Sequence, residues 1–191
     1  MRITAFRSVF VLGVALASVV TLSACSPGSE SPKPSNSSAS PSGSPDAQPD
    51  SSEAPVAGSS PVGIDCDELI TLAELYEFNP NVSPIVDFSA ESGSDAAKAV
   101  AAQGIACGFV NQTSGEITVV SASKPGDAAL GELRSELAAA APAPELGAEA
   151  WFTTGTAHVI HGEYLVTAAS EFFYTAADAQ PLVAAALGHL G

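Results

Sequence analysis

The chain has 191 residues, 46% of them hydrophobic, with 21 acidic against 6 basic residues and a formal net charge of −15. A charge of that sign repels phosphate backbones and anionic headgroups, and no basic run acts locally against it. Nucleic acid is thereby excluded as a partner, and the default meaning of the charge is solubility.

Arg2 and Arg7 open the chain, Val9 to Leu22 form an apolar run, and Ser23 and Ala24 are the small residues that a signal peptidase accepts. The run is too short for a spanning helix. Leu22-Ser23-Ala24-Cys25 matches the bacterial lipobox at every position. That resemblance implies removal of residues 1–24 as a lipoprotein signal peptide and acylation of Cys25. A plain secretory signal and an uncleaved anchor are the alternatives, and neither requires a cysteine at the cut. A buried methylene contributes about 0.8 kcal/mol and one chain holds only marginally, so the two palmitate-like chains of a diacylglycerol-derived group would secure the anchor. The expected address is the extracytoplasmic face of the cell membrane.

Residues 25–62 are rich in Ser, Pro, Gly and Asp with almost no large apolar side chain, a composition that cannot offset the entropy of ordering. This segment reads as a disordered tether, spanning roughly 35 Å as a coil and about 115 Å if fully polyproline-like. Residues 63–191 are the length of one ordinary domain. With Cys25 taken by lipid, Cys66 and Cys107 remain as an even pair in an oxidising compartment. A disulfide between them would close a loop of about 42 residues and contribute roughly 4 kcal/mol in the chain-entropy model. Two free buried thiols and half of a metal site are the rivals, the latter unsupported by any Cys-x-x-Cys.

Within the domain, Asp65 or Asp67 caps a short turn through Leu69 and Ile70, and Thr71-Leu72-Ala73-Glu74 is a capping box for a second turn. Leu69, Leu72, Leu75 and Tyr76 form the expected buried stripe. Residues 79–93 are loop-like, and Ser94 or Asp95 starts an alanine-rich helix ending at Gln103. Ile105 to Phe109 and Ile117 to Ser121 alternate as a hairpin, after which Ala128 to Ala140 repeat Leu at helical spacing until Pro142. Ala150–Phe152, Thr156–Ile160 and Glu163–Ala169 read as three strands, with a tight turn at His161-Gly162 and Phe172-Phe173-Tyr174 extending the ribbon. A closing helix is predicted from Asp178 to Leu190, with Pro181 in its first turn. These elements predict an α+β fold, an antiparallel sheet of about five strands with helices packed on one face.

Ser121-Ala122-Ser123-Lys124 has the Ser-x-x-Lys spacing of penicillin-recognising enzymes, but Ser121 is predicted on a strand and Pro125 follows the lysine. No nucleophile elbow, phosphate loop, dinucleotide glycine pattern or zinc-protease helix is present, so no catalytic residue, metal or cofactor is assigned. His158 and His161 lie three apart, which on a strand sends them to opposite faces. Asp65, Asp67 and Glu68 lack the ligand rhythm of a calcium loop and are better explained as helix caps. His189 sits in the last helical turn, where a cation suits the dipole. Trp151, Tyr164 and Phe172 are candidate linings of a ligand groove, although an aromatic-poor domain ordinarily places such rings in its core.

The motifs Cys66-Asp67-Glu68-Leu69-Ile70-Thr71-Leu72-Ala73-Glu74, Cys107-Gly108-Phe109 and Gly147-Ala148-Glu149-Ala150-Trp151 resemble those of small two-cysteine lipoproteins of unknown function from actinobacteria. Asp67-Glu68 lengthens the first spacing by one residue, and Phe109 stands where that group commonly has tryptophan. The resemblance implies a lipid-anchored, disulfide-linked extracytoplasmic domain. The functional expectation is a monomeric, non-enzymatic module that binds an envelope protein or a small ligand, with residues 79–93 and 153–155 as contact loops. A hydrolase using Glu149 and Glu163 and an inert structural lipoprotein are the alternatives.

Overall fold

The computed structural model describes residues 56–191. The expected signal peptide, Cys25 and the expected tether up to residue 55 lie outside the described residues. The N–H groups of Val56, Ser60 and Val62 donate to the carbonyls of Ala101, Lys124 and Gln103, so the last residues read as tether run along the folded body.

Five helices and seven strands follow: α1 (Cys66–Leu69), α2 (Leu72–Phe78), β1 (Val82–Pro84), α3 (Asp95–Ala101), β2 (Ile105–Asn111), β3 (Ile117–Ser123), α4 (Asp127–Glu136), β4 (Ala141–Pro142), β5 (Glu149–Thr153), β6 (Thr156–His161), β7 (Tyr164–Ala169) and α5 (Ala176–His189). The caps lie where short polar side chains precede apolar runs. Thr71 N–H donates to Glu74 Oε2 at 2.9 Å and Glu74 N–H to Thr71 Oγ1 at 3.3 Å, while Ala97 N–H donates to Ser94 Oγ at 3.1 Å. Asp65 N–H donates to Glu68 Oε2 at 3.0 Å, so these two carboxylates serve the start of α1. Thr175 and Asp178 make the corresponding box for α5, two residues earlier than predicted. Pro181 therefore falls in the second turn, and the Ala177 carbonyl goes without its usual donor.

All strands join one antiparallel sheet in the order β1-β2-β3-β7-β6-β5-β4. Two meanders meet where β3 pairs with β7, Val120 opposite Ala168. The α+β class and the Cys66–Cys107 disulfide are as expected, but the sheet has seven strands, not five. The two additional strands are its edges. The loop-like composition of residues 79–93 and the stop at Pro142 argue against strands there, yet a residue without an N–H is excluded only from the middle of a sheet. Pro84 pairs opposite Phe109 and Pro142 opposite Trp151, each on an outer strand. Phe172-Phe173-Tyr174 does not extend the ribbon. Phe173 N–H donates back to the Ser170 carbonyl in a turn.

Helices cover both faces, not one. Strand alternation explains it: Cys107 reaches α1 through the disulfide, whereas its neighbour Gly108 lies beneath the ring of Phe88 on the other side. On the first face α5 packs Leu182, Val183 and Ala186 against Val120, Val159, Val166 and Ala168. Ala122, Ala157 and Ala168 are fully buried, small enough to let the helix close on the strands. The second face carries α3, together with α4 through the Arg134–Glu149 pair. The expected stripe splits accordingly. Leu69 and Leu75 are buried, but Leu72 and Tyr76 are 67% and 68% exposed, because the break at Ile70-Thr71 ends one helical phase and starts another. Among the described residues no helix is long and apolar enough to cross a membrane.

Candidate functional site

The second face holds a cleft of about 610 Å³. Its floor is a cross-strand row, Val119 of β3, Ala169 of β7 and Thr156 of β6, widened by Thr167. Small side chains in that row leave the space. One wall is the segment from Phe88 to Ala96, which carries the start of α3. The other is the β5–β6 turn with Ser170 and Glu171.

Two glycines set the walls. A Cβ at Gly108 would occupy the place of the Phe88 ring, so the absence of a side chain there lets the loop fold down over β2. Phe88 also borders a smaller groove of about 380 Å³ beside Cys66, Ile70 and Val86, and so forms a partition between the two cavities. Gly155 has φ +78°, and a Cβ on it would lie 2.7 Å from the Ser170 carbonyl oxygen. Ser170 N–H donates to the Gly155 carbonyl at 3.0 Å, clamping the turn to the end of β7. Thr154 precedes it at φ +39°, giving the two-residue turn positive φ at both central positions. Such a turn matches the twist of a hairpin but strains a β-branched residue.

The charge of the lining has one sign. Glu91, Asp95 and Glu171 line the cleft, and no Lys, Arg or His does. Asp95 Oδ1 accepts from Lys98 Nζ at 2.8 Å, and that bond holds the lysine above its ordinary pKa. Glu116 lies beside Glu171, and the hydrogen bond and like charge between them push the Glu116 carboxyl upward. Behind the floor His158 is 6% exposed, with Nε2 3.9 Å from Asp95 Oδ2 and 3.4 Å from Thr153 Oγ1. Its Nδ1 has no protein partner. Burial pushes the His158 pKa down, partly opposed by Asp95, so the ring is neutral at pH 7. Ser121 and Thr167 satisfy one another at 2.6 Å on the same face.

No protein family, curated protein or solved structure matches this chain.

The three aromatic candidates are not brought together. Trp151 pairs opposite His158 on the second face, whereas Tyr164 lies on the first face, packed against the core beneath Lys124 Nζ at 4.5 Å from the ring centroid. Phe172 stands in the turn after β7, 44% exposed, and none of the three lines the cleft. Glu149 is held by Arg134 through two bonds of 2.9 and 2.8 Å, which keep its carboxyl below the ordinary range, and Glu163 pairs with Lys124 at 2.9 Å. Each carboxylate faces its own cation. Ser121 lies on β3, buried, and Lys124 points to Glu163, so the Ser-x-x-Lys spacing forms no nucleophile–base pair. His161 is exposed at the β6–β7 turn, away from His158 in orientation, while His189 Nε2 lies 3.0 Å from Glu74 Oε1. Among the described residues no three His, Cys, Asp or Glu side chains gather to hold a metal ion.

The predicted contact loops do meet. Phe88, Ser89 and Glu91 from residues 79–93 and Thr154 and Gly155 from residues 153–155 form opposite walls of the same cleft. Sequence reasoning missed the floor, Val119, Thr156, Thr167 and Ala169, and the rim residue Glu171. Thr156, Thr167 and Ala169, small residues toward one end of β6 and β7, were the available signal, and they identify a concavity only once the strand order is known.

Proposed function

We propose that this chain is a lipid-anchored extracytoplasmic module, held by acylated Cys25 and tethered through residues up to about 55, whose folded domain binds a ligand without transforming it. The cleft carries this reading. It is open, it sits on a rigid sheet, and its walls are loops that the packing of Phe88 on Gly108 and the Gly155–Ser170 bond hold in place. The proline-bearing edge strands support a monomer, since each edge lacks a donor that another sheet would need. Likeness to the two-cysteine lipoproteins supports the compartment, and the ion pairs that occupy Glu149 and Glu163 speak against their use as a hydrolytic pair.

The test fills the cleft. Thr156→Trp and, separately, Ala169→Leu place bulk on the floor, and saturation-transfer NMR with a fragment library reads binding to the full chain. Fragments that bind the natural chain and are lost in both variants, at unchanged melting temperature, support the reading. Fragments that persist in both variants, or a library with no binder, would overturn it.

A further inference from the structure

We infer that the cleft takes an organic cation, an ammonium group carried on a small apolar or aromatic body. This rests on the reading of the cleft as a binding site and names the chemistry of its occupant.

The lining supplies charge and apolar contact in separate places. Glu91 and Glu171 stand at the rim, while Asp95, deeper at the start of α3, is already paired with Lys98 at 2.8 Å, and no Lys, Arg or His is itself part of the lining. None is free to swing in. The three Lys and Arg residues of the described region are committed to Asp95, Glu163 and Glu149 at 2.8, 2.9 and 2.8 Å. An anion meets repulsion from Glu91 and Glu171, which carry no cation partner among the described residues.

The lining also offers apolar contact: Val119 and Ala169 on the floor, Ile117 half open at the margin, and Phe88 on the wall. An aromatic face attracts an ammonium group as well as a hydrocarbon. Thr156 and Thr167 add hydroxyl oxygens to the floor. A hard metal ion requires six or more oxygen ligands at short range, and no three ligating side chains gather among the described residues. A cation with carbon attached satisfies both parts of the lining, and a bare ion satisfies only one.

The test uses the full chain in dodecyl maltoside, a detergent without charge, and three probes of similar size: benzyltrimethylammonium, benzyl alcohol and phenylacetate. Binding is read from the methyl resonances of Ile117, Val119, Thr156 and Thr167 at low and high salt. The expected result is that benzyltrimethylammonium shifts these methyls and binds tightest. Its affinity falls about fivefold in Glu91→Gln and again in Glu171→Gln, less at high salt, as for a charge at contact distance in water. Glu132→Gln on α4 leaves it unchanged. Equal affinity for benzyl alcohol, or no loss in the two rim variants, would overturn the cation inference while leaving the cleft a binding site. Silence of these methyls with all three probes would overturn both.

Discussion

Removing the Cys66–Cys107 bridge is the perturbation with the best-defined magnitude. The bridged residues are 41 apart in sequence, and the closed loop contains α1, α2, β1 and α3. In the chain-entropy model a loop of that length destabilises the unfolded state by about 4 kcal/mol. The double substitution Cys66→Ala, Cys107→Ala removes that constraint without leaving a thiol, and adds a smaller packing loss at the buried Cys107. Urea unfolding followed by the fluorescence of Trp151, the one tryptophan, measures the effect. With an m-value of about 2 kcal/mol/M the midpoint should fall by about 2 M, and m itself should rise because the unbridged chain exposes more surface when unfolded. A midpoint that moves by less than about 0.5 M would refute the claim that loop closure is a main source of this domain's stability.

Four further outcomes follow from single residues. Leu182→Ala, in the buried face of α5, should cost about 2–5 kcal/mol in a denaturation series, whereas Leu72→Ala, 67% exposed, should cost little; similar losses at both would contradict the packing described. Thr154→Asn should gain about 1 kcal/mol by relieving a β-branched residue at positive φ, read as a melting temperature a few degrees higher, and a lower one would contradict the strained turn. Gly108→Val should lose about 1–3 kcal/mol and displace Phe88, seen as altered Phe88 ring resonances; unperturbed rings would disprove the contact. Burial holds the His158 pKa down, so as pH falls the unfolded chain takes up the proton first. Its contribution to stability is whole above the ordinary value of about 6.5 and declines below it until the folded ring protonates. Chemical denaturation across that window should show a slope that His158→Gln removes, and an identical slope in both proteins would contradict the buried neutral ring.

The helices and central strands were legible because their signals are local. Thr71 with Glu74 and Ser94 before an alanine run are capping patterns, and Ile105 to Ser123 alternate clearly enough to reveal the hairpin. Partnerships between distant segments were not. That β3 would pair with β7 depends on the burial of both meanders against α5, a balance that no window of sequence contains. The edge strands hid behind their prolines, whose exclusion applies to central positions alone. The helices on both faces follow from the same blindness, since Gly108 reads as a weak strand residue until Phe88 is seen above it. Trp151 and Tyr164 are near in sequence, but they sit on the two strands that flank β6, opposite His158 and His161, which point to opposite faces, so pleating sends the two rings apart. The contact loops were identified on their composition, and the cleft between them appeared only when strand order placed β6 beside β7.

Export underlies the proposed function, because an oxidising compartment favours the bridge and a membrane anchor would fix where the cleft meets a ligand. Intact-mass spectrometry of the chain taken from its native membranes, alkylated without reduction, tests this most directly. The account predicts a polypeptide that begins at Cys25, carries the mass of a diacylglyceryl group, and takes up no alkyl label at Cys66 or Cys107. A chain that retains residues 1–24 and is labelled at all three cysteines would contradict it.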